Sequence, residues 1–203
     1  MRIKSLLIAI FISAILFNCN TDSGNYYVPT SESEFEYKVD EFADLKVIRY
    51  QIPGWEELTL KEKKLVYYLT QAGLSGRDIM YDQNYRHNLA IRSALENIYT
   101  NYTGDKSSDN WMEFETYLKR IWFSNGIHHH YSNDKLKPGF SYEYLKELME
   151  STSTDLAYEA MDVIFNDKDS KKVNLSKDAD NVLLSAVNFY GPDVTSSDVE
   201  SFY

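Results

Sequence analysis

The side chains able to do metal, acid-base or nucleophilic chemistry sit in few places along the chain. It holds four histidines, His87, His128, His129 and His130. No pair of them has a glutamate beside the first and the one-turn spacing of a zinc-binding helix. The densest constellation is Ser124–Lys135, reading SNGIHHHYSNDK. Asn125-Gly126 is turn chemistry. Three consecutive side chains diverge from a helix or strand, so the histidine run cannot aim all its rings at one metal. It reads as a loop in which one or two imidazoles bond backbone groups and one faces a ligand. The candidate cleft residues are therefore Asn125, His128, His129 and Tyr131, and no catalytic or metal-ligating residue is assigned within the chain. Gly76-Arg77-Asp78 reads as a helix start, with Asp78 at the positive end of the dipole. There is no glycine-rich phosphate loop and no G-x-S-x-G elbow.

The elements that must position these residues follow an export signal. Arg2 and Lys4 precede an apolar run, Leu6 to Phe17, interrupted only by Ser13. That run is too short to cross a hydrocarbon core of ~30 Å comfortably as a helix. It ends at Cys19, the only cysteine. Leu16-Phe17-Asn18-Cys19 resembles a bacterial lipobox, with Asn18 in place of the usual small residue. The expectation is a signal peptide over 1–19, lipidation of Cys19, and residence in the bacterial cell envelope with the membrane as a partner. A lone cysteine forms no intramolecular disulfide, and once lipidated it is no nucleophile. Residues 20–41, polar at first and then acidic through Glu32, Glu34 and Glu36, read as a flexible tether.

With 203 residues, 43% of them apolar, the rest of the chain can build a real core and does not have the composition of a disordered protein. The net charge of −10 argues against a nucleic-acid partner, because such proteins concentrate positive charge. Val47–Ile52 reads as one short strand, stopped by Pro53-Gly54. Helical patterns take over from there. Thr59 and Glu62 form a capping box before Leu65, Tyr68, Leu69 and Ala72, with Gly73 or Gly76 as the stop. A second face carries Ile91, Leu95, Ile98 and Tyr102. Ser108 caps a third helix with the stripe Trp111, Phe114, Leu118, Ile121 and Trp122. Ser141 caps a fourth, with Leu145, Leu148 and Met149. A fifth runs near Asp155 to Phe165, with Leu156, Ala160, Met161 and Ile164. Ser197 and Glu200 make a further capping box, predicting a helix from Asp198 that the chain leaves without a body. The fold class is mainly α with one or a few short strands, and the core contains Leu95, Trp111, Phe114, Leu118 and Ile121.

Three stretches carry a family likeness. LTLKEKKLVYYLTQAGLSGRDIMYDQNYRHNLAIRSALENIYTNY, then FETYLKRIWFSNGIHHHYSNDKLKPGF, and later NVLLSAVNFYGPDVTSSDVESFY, resemble bacterial dipeptidyl-peptidase III. The resemblance covers about Phe42 to Tyr203. It implies the N-terminal part of a two-lobed α+β zinc exopeptidase that releases dipeptides from peptide N-termini. In that family zinc is held by two histidines of an H-E-x-x-G-H helix and by a glutamate of E-E-x-R-A-D. Neither motif occurs in this sequence. The resemblance therefore implies that they lie beyond Tyr203, that residues 42–203 are a truncated N-terminal helical portion, and that this chain binds no zinc of its own. Zinc as cofactor and peptide as substrate belong to the full-length enzyme. The alternative reading is a non-enzymatic helical surface lipoprotein that binds glycans or peptides through exposed Trp and Tyr, of which the chain has 3 and 17.

Overall fold

The computed structural model describes residues 35–166, 172–175, 177, 180–186 and 190–203. The signal peptide, Cys19 and residues 20–34 of the expected tether lie outside the described residues. Contacts divide the chain into Met1–Tyr37 and Lys38–Tyr203. In the first unit Phe35 and Tyr37 meet ring edge to face at 4.9 Å. The fold that follows is that of the second.

It opens with a β-hairpin, β1 (Lys38–Phe42) and β2 (Leu45–Ile48), antiparallel, with Phe42 opposite Leu45. Ala43 at the turn has φ of 50°, the left-handed conformation that tight hairpin turns require. Lys38–Glu41, expected as the end of the tether, thus form a strand. Like charges do not extend the chain here because the acids are paired, Glu41 with Lys38 at 2.8 Å and Asp40 with Lys119 at 2.9 Å. The expected strand over Val47–Ile52 is shorter, since the ladder ends at the Lys38–Ile48 pair.

The remainder is helical. In chain order come α1 (Leu60–Ser75), α2 (Arg77–Asn84), α3 (Asn88–Asn101), α4 (Asp109–Ser124), α5 (Tyr142–Ser151), α6 (Tyr158–Phe165) and α7 (Ser196–Phe202). Mainly α with a two-stranded antiparallel sheet is the expected class. Three starts follow their sequence signals. The Thr59 N–H donates to Glu62 Oε2 at 2.8 Å while Thr59 Oγ1 accepts from Glu62 N, closing the capping box. Ser108 and Ser141 hydroxyls accept from Trp111 N and Tyr144 N, satisfying backbone donors that the first turn leaves without partners.

The core lies around α3, which packs against α2, α4, α5 and α6. Ile91, Leu95 and Ile98 of α3 meet Trp111, Phe114, Leu118 and Ile121 of α4, Leu145 and Leu148 of α5, and Met161 and Ile164 of α6. All five residues expected in the core are buried there. Each fully buried aliphatic side chain stabilises the fold by roughly 1.5–3 kcal/mol relative to exposure.

Four expectations are corrected. Trp122 is 38% exposed, because it stands about 100° round the helix from Ile121; its indole N–H donates to Glu96 at 2.8 Å. The fifth helix begins at Tyr158, leaving Leu156 half-buried before it. The last helix is capped by Thr195 with Asp198 as the reciprocal partner, two residues before the expected Ser197–Glu200 box. Asp180 supports that earlier start by accepting from the N–H and hydroxyl of Ser196. Finally, α1 contributes no buried residue, so its Leu65–Leu69 stripe faces away from this core.

Candidate functional site: the histidine loop and the α4 cleft

The loop after α4 is shaped by its first two residues. Asn125 ends the helix in the left-handed region, φ 53° and ψ 44°, and its carbonyl accepts from Asn84 Nδ2 at 3.1 Å. Gly126 has φ of 142°, and a Cβ there would lie 2.1 Å from Asn88 Nδ2. Asn88 is buried and makes both bonds its amide offers to this region. Its Nδ2 donates to the Tyr81 carbonyl at 3.0 Å, and its Oδ1 accepts from Ile127 N at 3.0 Å. A glycine and a buried asparagine therefore dock the loop onto the junction between α2 and α3.

Beyond that anchor the chain doubles back. His128 pairs with Lys135 in an antiparallel bridge, Leu136 N donates to the Ile127 carbonyl, and His129 N donates to the Asp134 carbonyl. Lys135 Nζ donates to the Val163 carbonyl at 2.6 Å and to that of Asn166, placing a cation at the negative end of α6.

The histidines part company. His128 is buried, its ring set edge-on to Tyr85, which also makes an edge contact with His87. His129 Nδ1 accepts from Tyr131 N and Ser132 N, so in its neutral form the proton resides on Nε2. His130 packs edge-on to Phe123 at 4.7 Å. Burial of its ring, reinforced by His129, holds its pKa below the usual imidazole value. Tyr131 is 90% exposed. Of the expected cleft residues, Asn125 thus terminates a helix, His128 belongs to the interior, His129 caps a turn, and Tyr131 points to solvent. The donor set does not fit a zinc ion, which needs about three convergent ligands. Among the described residues no group of three or more His, Cys, Asp or Glu side chains stands together in the way a metal requires.

Asp78 has the structural part expected of it. It lies in the first turn of α2 and takes a 2.8 Å ion pair from Arg92, which holds its carboxyl below the ordinary carboxylate range. Arg92 also lies 4.4 Å from the Tyr81 ring centroid.

A different face of α4 forms a concavity. Glu113, Thr116, Tyr117 and Arg120 line a cleft of about 440 Å³ together with Ala43, Lys137 and Gly139. The spacing of the four α4 residues, i, i+3, i+4 and i+7, puts them on one side of the helix. None of the expected loop residues lines it. The available sequence signal was the polar spacing along α4, which the apolar stripe of the same helix masked. A second cleft, about 360 Å³, lies between α3 and the segment before α6 and is lined by Asn97, Ser153 and Thr154. Its Asn97 Nδ2 already donates to Thr154 Oγ1 at 2.7 Å.

Comparison with known proteins leaves this geometry to speak for itself: no family model matches the chain, and no curated protein matches it.

Proposed function

We propose that the chain is the N-terminal, zinc-free portion of a dipeptidyl-peptidase III-type zinc exopeptidase, exported to the bacterial cell envelope and anchored through a lipid on Cys19. In this reading it supplies helices and one wall of a two-lobed peptide cleft, and it does not release dipeptides by itself. The support from sequence is the resemblance over Phe42 to Tyr203. The single structural observation that carries the reading is α1. Leu60, Leu65, Val66, Tyr67, Tyr68, Leu69 and Leu74 run round its whole circumference, and every one of them is exposed. The first turn is charged, Lys61 to Lys64, but Leu65-Val66-Tyr67-Tyr68-Leu69 exposes apolar side chains in every direction, a surface that further protein would cover. Its principal neighbour here is α2, which follows it directly. It does not serve as a membrane span, since no described helix is long and apolar enough to cross a bilayer. The rest of a larger enzyme would enclose it.

The test compares hydrogen exchange in the 203-residue chain with that in a protein lengthened by the coding sequence that follows Tyr203. The α1 amides should exchange freely in the first and become protected in the second. The lengthened protein should also carry one zinc ion and release dipeptides from a chromogenic substrate. A following sequence without H-E-x-x-G-H, or an α1 left unprotected, overturns the reading. Mass spectrometry of the mature N-terminus separately checks the lipid on Cys19.

A further inference from the structure

The turn at the tip of the histidine loop is closed by an imidazole. His129 Nδ1 accepts from Tyr131 N at 3.2 Å and from Ser132 N at 3.0 Å. Bonds from the N–H groups two and three residues further on are those by which an Asn or Asp side chain closes a turn on itself. An amide oxygen accepts at any pH. An imidazole nitrogen accepts only while it carries no proton, and the imidazolium is a donor at both nitrogens. Imidazole is also the side chain whose ordinary titration, around pH 6.5, falls in the range most proteins meet. A titratable group thus stands where a turn needs a permanent acceptor.

The surroundings give the ring no second way to hold the turn. Rotating it end over end would present a carbon in place of Nδ1. It stacks on His130 at 4.3 Å, and His130 in turn lies against Phe123 at 4.7 Å and Tyr131 at 4.3 Å. The charged groups around the pair are Asp44 and Lys172, which act on His130 in opposite senses, and Asp134, which takes the His129 N–H on its backbone carbonyl. Arg120 holds Asp44 at 2.6 Å, and Lys172 N donates to the Asn133 carbonyl at 3.1 Å. The base of the loop is built differently. Ile127 and Leu136 are buried, Leu136 N donates to the Ile127 carbonyl at 2.7 Å, and Ile127 N donates to Asn88. None of those groups titrates near neutral pH.

We propose that the His129 turn is an acid-sensitive latch: protonation of His129 at Nδ1 releases Tyr131 N and Ser132 N, frees the loop tip that carries Tyr131, and leaves the base at Ile127 and Leu136 in place. Tyr131, 90% exposed, is the side chain that the closed latch presents to solvent. The device belongs to this chain alone and does not depend on the peptidase reading.

Amide hydrogen exchange of the full chain between pH 7.5 and 5.0, corrected for the intrinsic pH effect, tests it, with the His129 ring followed by NMR through its carbon-bound protons. At pH 7.5 the Tyr131 and Ser132 amides should exchange about two- to tenfold more slowly than in an unstructured chain, the protection that one neutral hydrogen bond provides. Both should lose it with the midpoint at which the His129 ring takes up its proton, while the Leu136 amide stays protected. His129→Asn keeps an acceptor at the position of Nδ1 and has no proton to gain, so its two amides should stay protected at both pH values. His129→Phe has no acceptor and should leave them unprotected at both. His130→Gln should keep the wild-type response. Amides that remain protected after His129 has titrated overturn the proposal, as do amides unprotected at pH 7.5 or an unchanged pH response in His129→Asn. Loss of Leu136 protection together with the tip also overturns it, since the whole loop would then be unfolding.

Discussion

Helices α1 and α4 are both sixteen residues long, and each starts at a side-chain cap that the sequence announces. They end in opposite situations. Helix α4 buries Trp111, Phe114, Tyr117, Leu118, Ile121 and Ser124, whereas α1 buries nothing. The difference lies in how the apolar residues are distributed. Those of α4 recur at three- and four-residue intervals and gather on one side, with Glu115, Lys119 and Arg120 turned elsewhere. Those of α1 include the unbroken run Leu65-Val66-Tyr67-Tyr68-Leu69, which no single surface can cover. Capping and propensity are enough to make either segment a helix. Only a one-sided stripe tells a helix that its partner is within the same body.

The largest expected contrast tests this directly. Leu118→Ala empties a fully buried site and should cost about 2–5 kcal/mol, while Leu69→Ala, at a side chain 62% exposed, should stay within about 0.5 kcal/mol. Urea unfolding of both variants measures the gap. If Leu69→Ala costs as much as Leu118→Ala, α1 is packed in solution and the contrast between the two helices disappears.

The helix ends sharpen the same comparison. Gly126, after α4, holds φ of 142° against Asn88, whereas Gly76, after α1, has φ of −84° and room for a Cβ, the nearest atom being 3.6 Å away. Gly126→Ala should therefore destabilise by about 1–3 kcal/mol, while Gly76→Ala should be neutral or stabilise by up to about 1 kcal/mol, because it restricts the unfolded chain. Asn88→Ala, which strips a partner from Ile127 N, should also cost about 1–3 kcal/mol. Combined with Gly126→Ala it should cost less than the two added, since the clash then has no side chain to meet. Strict additivity would mean that the Asn88–Gly126 contact does not position the loop.

Much of this architecture was legible in the residues, and the reasons for the rest are physical. Ser108, Ser141 and the Thr59–Glu62 pair mark helix starts because their oxygens are the only local answer to free N–H groups. The stripe from Trp111 to Ile121 names its own buried face. Trp122 was misplaced because a large aromatic beside a stripe is read as part of it, although one step round the helix takes it to solvent. The Thr195 start was hidden because Asp180, fifteen positions away, helps to set it. The histidine loop drew notice for its composition, yet its fold depends on Asn88, a residue with no local signal of importance. The α4 cleft was invisible for a related reason: Lys137 and Gly139 join Glu113 and Tyr117 only after the chain has turned back at Asn125-Gly126.

The smallest expected effect is a pH dependence confined to the loop end of α4. His130 rests against Phe123, and burial lowers its pKa from the ordinary value, with His129 adding to the shift and Asp44 opposing it. The sign follows from which state binds the proton. As pH falls below about 6.5, the unfolded chain protonates this imidazole while the folded protein does not. The unfolded state then holds more protons, so stability declines as pH falls from about 6.5 to the lower folded pKa, and His130 contributes no further change below it. The lowered carboxyls, such as Asp78, lose their contribution only at more acid pH, as it falls through their own folded pKa values. Urea midpoints at pH 7.5 and 5.5 should therefore differ more for the wild-type chain than for His130→Gln. Helix α1 has no imidazole, and its only acid, Glu62, also has a lowered pKa, so its hydrogen exchange, corrected for the intrinsic pH effect, should not change over the same interval. An equal midpoint difference in the variant would mean that His130 is solvated and that the Phe123 contact does not exclude its charge.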